Sequence, residues 1–319
     1  MGFELNLPEL FNAADYFVDR NVREGHGSKV AVICQDRQIT YRQVQDGVNR
    51  VGNGLRALNV RMEERVALLL MDTEIYPMAF FGAIKIGAVP INLNTLMRPK
   101  DYLYFCNDSR ARVLIVSAAL LENIDTIRAE LMFLEHIIVV DGQGNPDDIN
   151  FDSWFAAQSA ELECAPTTPC DACFWLYSSG STGQPKGTVH LQHDMVFAAQ
   201  TYGKQVLQVQ EDDVCFSAAK LFFAYGLGNG LYFPFRAGAT TILHPGKGSR
   251  KNNCGVSHPI FGPSFAAPQS RNPRRRTEAT PRISLNRSGE TWPKSGREKC
   301  LHDSVRVTPV HRTYSCASP

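Results

Sequence analysis

The sequence predicts an α/β fold for residues 1–248, with parallel or mixed sheets covered by helices on both faces. Two observations predict this class: short strands rich in β-branched residues recur along this part of the chain, and amphipathic helices separate most of them. Parallel strands need such helical connections, and strands buried on both faces read as short apolar runs. The composition, 44% hydrophobic and 20% charged over 319 residues, argues against a wholly disordered protein, a collagen-like repeat or a disulfide-rich miniprotein.

The first predicted elements are a hairpin and a capped helix. Two strands, Val30–Cys34 and Arg37–Thr40, are separated by two turn residues. The side-chain oxygen of Thr40 can accept a hydrogen bond from the first turn of a helix that starts at Tyr41. The apolar face of this helix recurs at steps of four and three residues, at Val44, Val48, Val51, Leu55 and Leu58.

The alternation of strands and helices continues to residue 140 and resumes before a glycine-rich loop. The further predicted strands cover residues 66–70, 88–91, 113–116, 137–140, 173–177 and Thr240–Leu243. Helices are predicted over residues 75–86, from Pro99, and over a segment that runs through Leu131. Lys85 interrupts the longest apolar run, so no stretch approaches the roughly 18 residues that a membrane span needs.

The most informative segment is the loop that follows the strand at residues 173–177. Its ten residues, 178–187, are nearly all Gly, Ser, Thr, Pro or Lys. Glycine lets the backbone approach an anion closely, hydroxyls donate hydrogen bonds to phosphate oxygens, and a lysine supplies positive charge. We therefore predict a polyphosphate-binding loop formed by Ser178, Ser179, Gly180, Ser181, Thr182, Gly183 and Lys186.

Two other interpretations of this loop are weaker. It is not a Walker A loop, because Pro185 precedes Lys186 and Gly187 follows it, whereas that motif has Gly before the lysine and Ser or Thr after it. A flexible surface linker also has this composition. The loop, however, lies between an aromatic-rich strand and another strand-like segment rather than between domains, which favours a binding role.

The run YSSGSTGQPKG, residues 177–187, resembles the signature loop of the adenylate-forming superfamily of acyl- and aryl-CoA ligases, luciferases and nonribosomal adenylation domains. The resemblance covers about residues 6–248: ITYRQVQDGVNRVGNGL is similar to an early strand–helix element of the family, and GAIKIGAVPINLN to an element that follows an aromatic helix. Within the superfamily, KLFFAYGLGNGLYFPF, residues 220–235, is similar to the aryl-substrate segment of benzoate-CoA ligases. The implied fold is the N-terminal part of the superfamily's large domain.

The resemblance implies a two-step reaction, in which a carboxylate reacts with ATP to give an acyl-adenylate and pyrophosphate, and the acyl group then passes to coenzyme A. ATP with Mg²⁺ and coenzyme A are the implied co-substrates, and benzoate or a related aryl acid is the implied substrate. The aryl pocket would be approached by Phe223, Ala224, Tyr225 and Gly226, where two small residues flank an aromatic one. On its own, this run would also fit a simple turn between a helix and a strand.

The remaining polar candidates are expected to have structural roles. Cys170 and Cys173 have the spacing of a redox or half-zinc motif, but no second pair accompanies them, so two reduced thiols at a strand entrance are expected. His190 and His193 flank a helix start and are expected to cap or pack. We expect solvated turn positions for Asp72, Glu74, Asp147 and Asp148, and we predict no metal-binding residue.

Residues 249–319 differ in composition, with 13 Lys and Arg, 4 Asp and Glu, and 8 of the 18 prolines. Only 10 of these 71 residues are Leu, Ile, Val or Phe, which at high net charge is too few for a packed core. We predict an unstructured basic tail. A nucleic-acid arm is weakly supported by the arginine run at residues 274–276, and a linker to another domain is a second interpretation. The abrupt loss of periodicity after residue 248 favours a third, an out-of-frame continuation, which translation of the gene in the other two frames would test.

The chain also departs from the family in ways that predict impaired activity. After residue 248 we find no match to the family's adenine- and magnesium-contacting segment, its ribose-binding Asp, or the small C-terminal domain with its catalytic lysine. We therefore assign no catalytic residue and expect residues 1–248 to be an incomplete AMP-binding domain with little or no ligase activity. The alternative is a non-catalytic fragment that binds nucleotide or a partner. Because the start lacks a basic segment followed by an apolar core, we expect a cytoplasmic protein without membrane attachment.

Overall fold

The computed structural model describes residues 5–178 and 184–246, which form two β-sheets with helices packed around them. The strands are β1 (Val30–Cys34), β2 (Arg37–Thr40), β3 (Arg65–Leu69), β4 (Val89–Asn92), β5 (Val113–Ser117), β6 (His136–Val140), β7 (Ile149–Asn150), β8 (Ala172–Ser178), β9 (Lys186–Leu191), β10 (Val214–Phe216) and β11 (Thr240–Leu243). The α-helices are α1 (Arg20–Arg23), α2 (Tyr41–Ala57), α3 (Ile75–Lys85), α4 (Pro99–Ser109), α5 (Leu121–Asp125), α6 (Phe151–Ala156), α7 (Gln192–Ala198), α8 (Ala224–Leu227) and α9 (Phe233–Ala237). Shorter 3-10 or π-helical turns lie at Asp15–Asp19, His26–Ser28, Ala118–Leu120, Arg128–Glu130, Ala199–Val206 and Gly228–Tyr232.

The larger sheet has seven strands in the order β7-β6-β5-β3-β4-β8-β9. Neighbouring strands run parallel except β8 and β9, which are antiparallel. Both faces of its central strands are covered, because Val66 and Leu68 of β3 join one apolar cluster while Ala67 and Leu69 join another on the opposite face. The predicted mixed α/β architecture, with helices on both faces, is confirmed.

The smaller sheet has four strands in the order β10-β11-β1-β2. Strands β1 and β2 form the predicted hairpin, and β11 lies parallel to β1, with Val32 opposite Thr241. This pairing joins segments about 200 residues apart in the sequence. It therefore holds the last described strand against the first hairpin, an arrangement that no local pattern predicts.

Helix α2 begins where the sequence predicts. The Thr40 side chain accepts a hydrogen bond from the Gln43 backbone N–H, and the Gln43 side chain accepts one from the Thr40 N–H, which completes a capping box. Four of the five residues of its predicted apolar face are completely buried, namely Val44, Val48, Val51 and Leu55, and Leu58 is partly buried. Among the described residues, no helix combines the length and apolarity that a membrane crossing requires.

Lys85, which interrupts the apolar run of α3, is only 2% exposed. Its Nζ lies 2.7 Å from the carboxylate of Asp19 and donates to Oδ1 of Asn49 over 2.6 Å. A buried charge needs such partners, because desolvation of an unpaired ammonium group is very costly. The pair fastens α3 to the N-terminal segment and to α2.

Two expectations about residues 118–148 are wrong. A continuous helix through Leu131 was expected, but the segment is broken into the short pieces 118–120, 121–125 and 128–130. The β-branched pair Thr126 and Ile127 at the break is a weak helix former. Asp148 is not a solvated turn residue, because its side chain is 2% exposed and accepts from the Arg128 guanidinium over 2.7 Å. Burial tends to raise the pKa of Asp148, but Arg128 and the hydrogen bonds from Asn145 together hold that pKa below its ordinary value.

Candidate functional site

The glycine- and hydroxyl-rich loop connects two antiparallel strands at the carboxyl edge of the larger sheet. Strand β8 runs parallel to β4 and ends at Ser178, and β9 begins at Lys186 directly opposite Ser178 in the register. In open α/β sheets, ligands bind outside the carboxyl ends of the strands. The predicted loop residues Ser179, Gly180, Ser181, Thr182 and Gly183 lie outside the described residues.

Both described ends of this loop are open to solvent. Ser178 and Lys186 are exposed, and they lie on adjacent strands, so a hydroxyl donor and an ammonium group leave the same end of the sheet. Both groups donate hydrogen bonds, and neither must be removed from a buried ion pair before it can contact an anion. This arrangement fits a polyphosphate at the mouth of the loop.

Helix α4 braces the loop from both sides. The hydroxyl of Tyr177 donates to Asp108 over 2.7 Å, and its ring lies 4.4 Å from that of Phe105. On the other side of the loop, the hydroxyl of Tyr104 donates to the Pro185 carbonyl over 2.9 Å. Burial, together with the hydrogen bond to Asp108, raises the pKa of Tyr177, so its phenol stays a neutral donor.

Sequence reasoning missed this support. The pattern of α4 indicates a helix start at Pro99, but it contains nothing that relates residue 104 to residue 185. The available signal was the hydroxyl of Tyr104, since a tyrosine hydroxyl that is withdrawn from water usually finds a hydrogen-bond partner, but this signal does not identify the partner. The residues that hold the loop in place are therefore found only from the tertiary structure.

The two histidines after the loop pack against neighbouring groups, one of the two roles expected for them, whereas Asp194 caps the start of the following helix. The ring of His190 stacks on that of Phe174 at 4.5 Å and 9°, and the His193 Nδ1 lies 2.7 Å from the Pro169 carbonyl. Asp194 accepts from the Leu191 backbone N–H over 2.9 Å. Burial tends to raise the pKa of Asp194, but His190, the Leu191 N–H and His193 together hold that pKa below its ordinary value.

The CxxC pair is split between two environments. Cys173 is completely buried in β8, and burial raises the pKa of its thiol, whereas Cys170 is exposed. A buried thiol with a raised pKa is a poor nucleophile and a poor metal ligand, because both roles need the thiolate. Both cysteines are reduced thiols at the start of β8, as the sequence predicts, and Cys173 packs inside the sheet.

The segment predicted to approach an aryl group divides into an exposed side and a buried side. Phe223, which is 45% exposed, occupies the N-cap position of the short helix α8, and Tyr225 is 63% exposed. Ala224 is exposed between them, whereas Gly226 is buried. Three of the four predicted residues, Phe223, Ala224 and Tyr225, are therefore exposed, and the fourth, Gly226, is buried.

Gly226 faces the backbone of its own segment. A Cβ placed on Gly226 would lie 1.9 Å from the Lys220 carbonyl oxygen and 2.6 Å from that of Ala219. Backbone atoms cannot yield as a flexible side chain does, so only glycine fits this position with the present chain path. The close approach is between two parts of the chain, residues 219–220 and 226.

Asp72 and Glu74, which were expected to be solvated, are in fact buried. Asp72 is 6% exposed and Glu74 is 4% exposed. The Asp72 carboxylate lies 3.6 Å from Nζ of Lys220, and Glu74 pairs with Arg37 from the hairpin. The expectation is wrong because the basic partners come from distant parts of the sequence and make burial of a carboxylate possible.

Two carboxylates and a thiol come close together in one cluster of the described residues. Asp15, Asp19 and Cys164 bring three possible ligand atoms within 4.8 Å of one another. Asp15 is already paired with Arg23, and Asp19 with Lys85, while burial raises the pKa of Cys164 to about 12. This cluster fits a network of ion pairs rather than a site for a cation.

Known proteins are similar in sequence to most of this chain. The benzoate–CoA ligase of Thauera aromatica is 45% identical over 240 residues, which cover 75% of this chain and 45% of the relative. The 4-hydroxybenzoate–CoA/benzoate–CoA ligase of Rhodopseudomonas palustris is 40% identical over 277 residues, 85% of this chain and 51% of the relative. The chain therefore spans about half the length of the curated relatives it matches.

A solved structure extends the likeness to three dimensions. The crystal structure of an anthranilate CoA ligase in complex with anthranoyl-AMP superposes with a TM-score of 0.73 at 42% identity, over 75% of this chain and 46% of that one. The family model described as "AMP-binding enzyme" matches residues 18–255, well over half of the chain. On the sequence, the fold and these matches together, the chain belongs to the AMP-binding enzyme family.

Proposed function

We propose that this chain supplies the nucleotide- and aryl-acid-binding elements of an aryl-CoA ligase. The reaction joins a benzoate-type carboxylate to ATP and then transfers the acyl group to coenzyme A. The observation that carries the proposal is the position of the loop ends: Ser178 and Lys186 face each other at the carboxyl edge of the larger sheet. The chain that contains them is 45% identical over 240 residues to a benzoate–CoA ligase.

In the first step, a carboxylate oxygen of the aryl acid forms a bond to the α-phosphorus of ATP. The bond from that phosphorus to the bridging oxygen of the pyrophosphate breaks, and the electron pair leaves with pyrophosphate. Negative charge therefore accumulates on the leaving group. Donors that are already in place stabilise such charge without reorganisation, which is the role we assign to Ser178, Lys186 and the loop between them.

In the second step, the thiol sulfur of coenzyme A bonds to the acyl carbon, its proton is released, and AMP leaves with the electron pair of the acyl–oxygen bond. We assign no described residue to this step. Magnesium supplies charge neutralisation on ATP when bound, but the described carboxylates that lie close together are held by arginine and lysine and do not fit a magnesium site. No step is therefore derived through the metal.

The aryl acid is placed against Phe223, Ala224 and Tyr225, with Gly226 setting the path of the backbone behind them. A flat ring binds well against exposed aromatic edges and a small residue, which leave room for it and remove little water from polar groups. The two curated relatives named above act on benzoate and hydroxybenzoate, and the solved relative on anthranilate, according to their names. Benzoate and its simple ring-substituted analogues are therefore the acids to test.

The proposal is tested by titrating the full 319-residue chain with Mg·ATP and comparing Lys186→Ala with the parent. Loss of one charge-assisted hydrogen bond to phosphate costs about 1.5–3 kcal/mol, so the Kd for ATP should rise roughly 10- to 100-fold. Lys204→Ala is the matched control, because Lys204 is also an exposed lysine but lies away from the loop. Neither change should alter the thermal unfolding midpoint appreciably, because both side chains are exposed.

Equal weakening by Lys186→Ala and Lys204→Ala, or no ATP binding by the parent chain, would contradict the proposal. Exchange of labelled pyrophosphate into ATP then separates the ligase from the non-catalytic alternative. Exchange that requires benzoate supports aryl-acid activation, whereas ATP binding without benzoate-dependent exchange supports a nucleotide-binding chain.

A further inference from the structure

The carboxylate of Asp72 lies beneath the segment that carries Phe223 and Tyr225. We propose that Asp72 and Lys220 are positioning residues that clamp this segment to both sheets and so hold its aromatic side chains where an aryl carboxylate binds. The inference deepens the proposed function and rests on it. Neither residue is assigned a contact with the substrate.

The clamp has two contacts on the Asp72 side. Asp72 follows β3 at the carboxyl edge of the seven-stranded sheet and is 6% exposed. Its Oδ1 accepts from the Leu221 backbone N–H over 3.3 Å, and its Oδ2 lies 3.6 Å from the Lys220 Nζ. The Asp72 carboxylate thus contacts the side chain of Lys220 and the backbone of Leu221. These are the first two residues of the aryl segment, residues 220–235.

Lys220 extends the clamp to the other sheet. Its Nζ donates to the His244 carbonyl over 2.5 Å, and His244 directly follows β11 of the four-stranded sheet. The ammonium group therefore bridges a carboxylate at the end of one sheet and a carbonyl at the end of the other. Its position fixes where the segment leaves the core.

The rest of the segment is anchored on one side and open on the other. Leu221 is 1% exposed and Phe222 is 5% exposed, whereas Phe223 is 45% exposed and Tyr225 is 63% exposed. The change from buried to exposed takes place between Phe222 and Phe223, within three residues of Lys220, so movement of Lys220 would move the exposed rings with it. Buried residues thus hold the start of the segment in place, and the exposed rings of Phe223 and Tyr225 stay free to contact a ligand. Such an arrangement pre-organises a binding site, because the ligand does not have to order it.

The energetics favour a positioning role over a stabilising one. Partly buried ion pairs contribute little net stability, because desolvation of the charges offsets their attraction. Burial raises the pKa of Asp72 to about 6, against the opposing effects of Lys220 and the Leu221 N–H, so desolvation is the larger effect here. The pair therefore acts mainly by restricting where the segment can lie.

The test uses the full chain with the substitutions Asp72→Asn and Lys220→Met, which keep side-chain volume and remove the ion pair. Lys220→Arg is the conservative variant that keeps the charge, and Lys204→Met is the control for loss of one exposed lysine. Hydrogen exchange of the amides at residues 221–227 measures the clamp directly, without any ligand. Benzoate and Mg·ATP titrations measure its effect on recognition.

We expect Asp72→Asn and Lys220→Met to speed amide exchange at residues 221–227 at least fivefold and to raise the Kd for benzoate at least fivefold. The Kd for ATP should stay within twofold, Lys220→Arg should recover most of both effects, and Lys204→Met should match the parent. A variant that merely destabilised the fold would instead speed exchange throughout the sheets and weaken ATP and benzoate alike.

Unchanged exchange at residues 221–227 in both clamp variants would overturn the proposal, as would faster exchange with benzoate affinity unaltered. Failure of the proposed function has a different signature, because the parent chain would then bind neither ATP nor benzoate while the exchange pattern still reported on the clamp. In that case the contacts hold the segment, but their role in aryl-acid recognition is lost.

Discussion

The two ends of the candidate site are built in opposite ways. At the proposed phosphate end, Ser178 and Lys186 are exposed, and hydrogen bonds of tyrosine side chains hold their strand ends. At the proposed aryl end, a buried carboxylate and a glycine packed against the backbone fix the chain from within. An exposed anion site binds through charged groups and a flexible backbone. A site for a flat apolar ring needs an apolar surface in a fixed position, and buried residues that pack behind that surface set its position.

This difference predicts how each end responds to substitution. Changes at the phosphate end should alter nucleotide affinity with little effect on folding, because the side chains there make few buried contacts. Changes at the aryl end should alter the fold or the position of the segment before they alter any single contact with a ligand. Three substitutions test this contrast, from the largest expected effect to the smallest.

Gly226→Ala should have the largest effect, because its new methyl group would lie 1.9 Å from the Lys220 carbonyl oxygen. We expect a loss of about 3 kcal/mol in the free energy of unfolding, at the upper end for overpacking a close contact. Urea unfolding of the full chain measures this loss. Gly27→Ala is the matched control, because a Cβ there has its nearest neighbour at 3.6 Å, and equal losses for the two variants would contradict the contrast.

A pH titration of stability should reveal the buried carboxylate at the aryl end. Its pKa is about 6 in the folded chain and has an ordinary value of 3.8, so the folded state takes up this proton at a higher pH than the unfolded state. As the pH falls from about 6 to about 4, the parent should therefore gain roughly 2–3 kcal/mol of stability relative to Asp72→Asn. Unfolding in urea at pH 4, 5, 6 and 7 measures the difference, and a loss of stability on acidification relative to Asp72→Asn would show that Lys220 outweighs burial.

Tyr104→Phe should have the smallest effect, because it removes a single hydrogen bond to the Pro185 carbonyl at the phosphate end. We expect a loss of about 1 kcal/mol in unfolding free energy, with a measurable rise in the Kd for ATP as the base of the loop loosens. Tyr202→Phe is the control, because that ring is 43% exposed and lies outside the loop support. A stability loss larger than that of Gly226→Ala would reverse the contrast between the two ends.

Local elements were predicted well from the sequence. The hairpin strands, β11 and the start of α2 lie where their patterns place them, because a two-residue turn and a capping box involve residues only a few positions apart. The strand–loop–strand arrangement around Ser178 and Lys186 was also predicted, since glycine and hydroxyl residues end a strand by their own conformational preferences. The expected site roles of these loop residues stay predictions.

Buried polar groups were predicted poorly. Asp72 and Glu74 follow a strand in a polar run, which is a typical surface pattern, yet each is buried beside a basic partner. In the case of Asp72, the bonded backbone of Leu221 is 149 positions away. A single sequence carries no local trace of such a partner, so burial of these carboxylates was not foreseeable.

The amino-acid sequence by itself determined the α/β class, the order of the strands along the chain and the composition of the loop, because these depend on side-chain periodicity and on the backbone preferences of nearby residues. Only the tertiary structure decided that β11 joins the first hairpin, that α4 braces the loop, and that Asp72 lies under the aryl segment. These features depend on the free-energy cost of removing polar groups from water. A buried carboxylate or carbonyl is stable only if the fold brings a hydrogen-bonding partner close to it, and that partner comes from a distant part of the sequence.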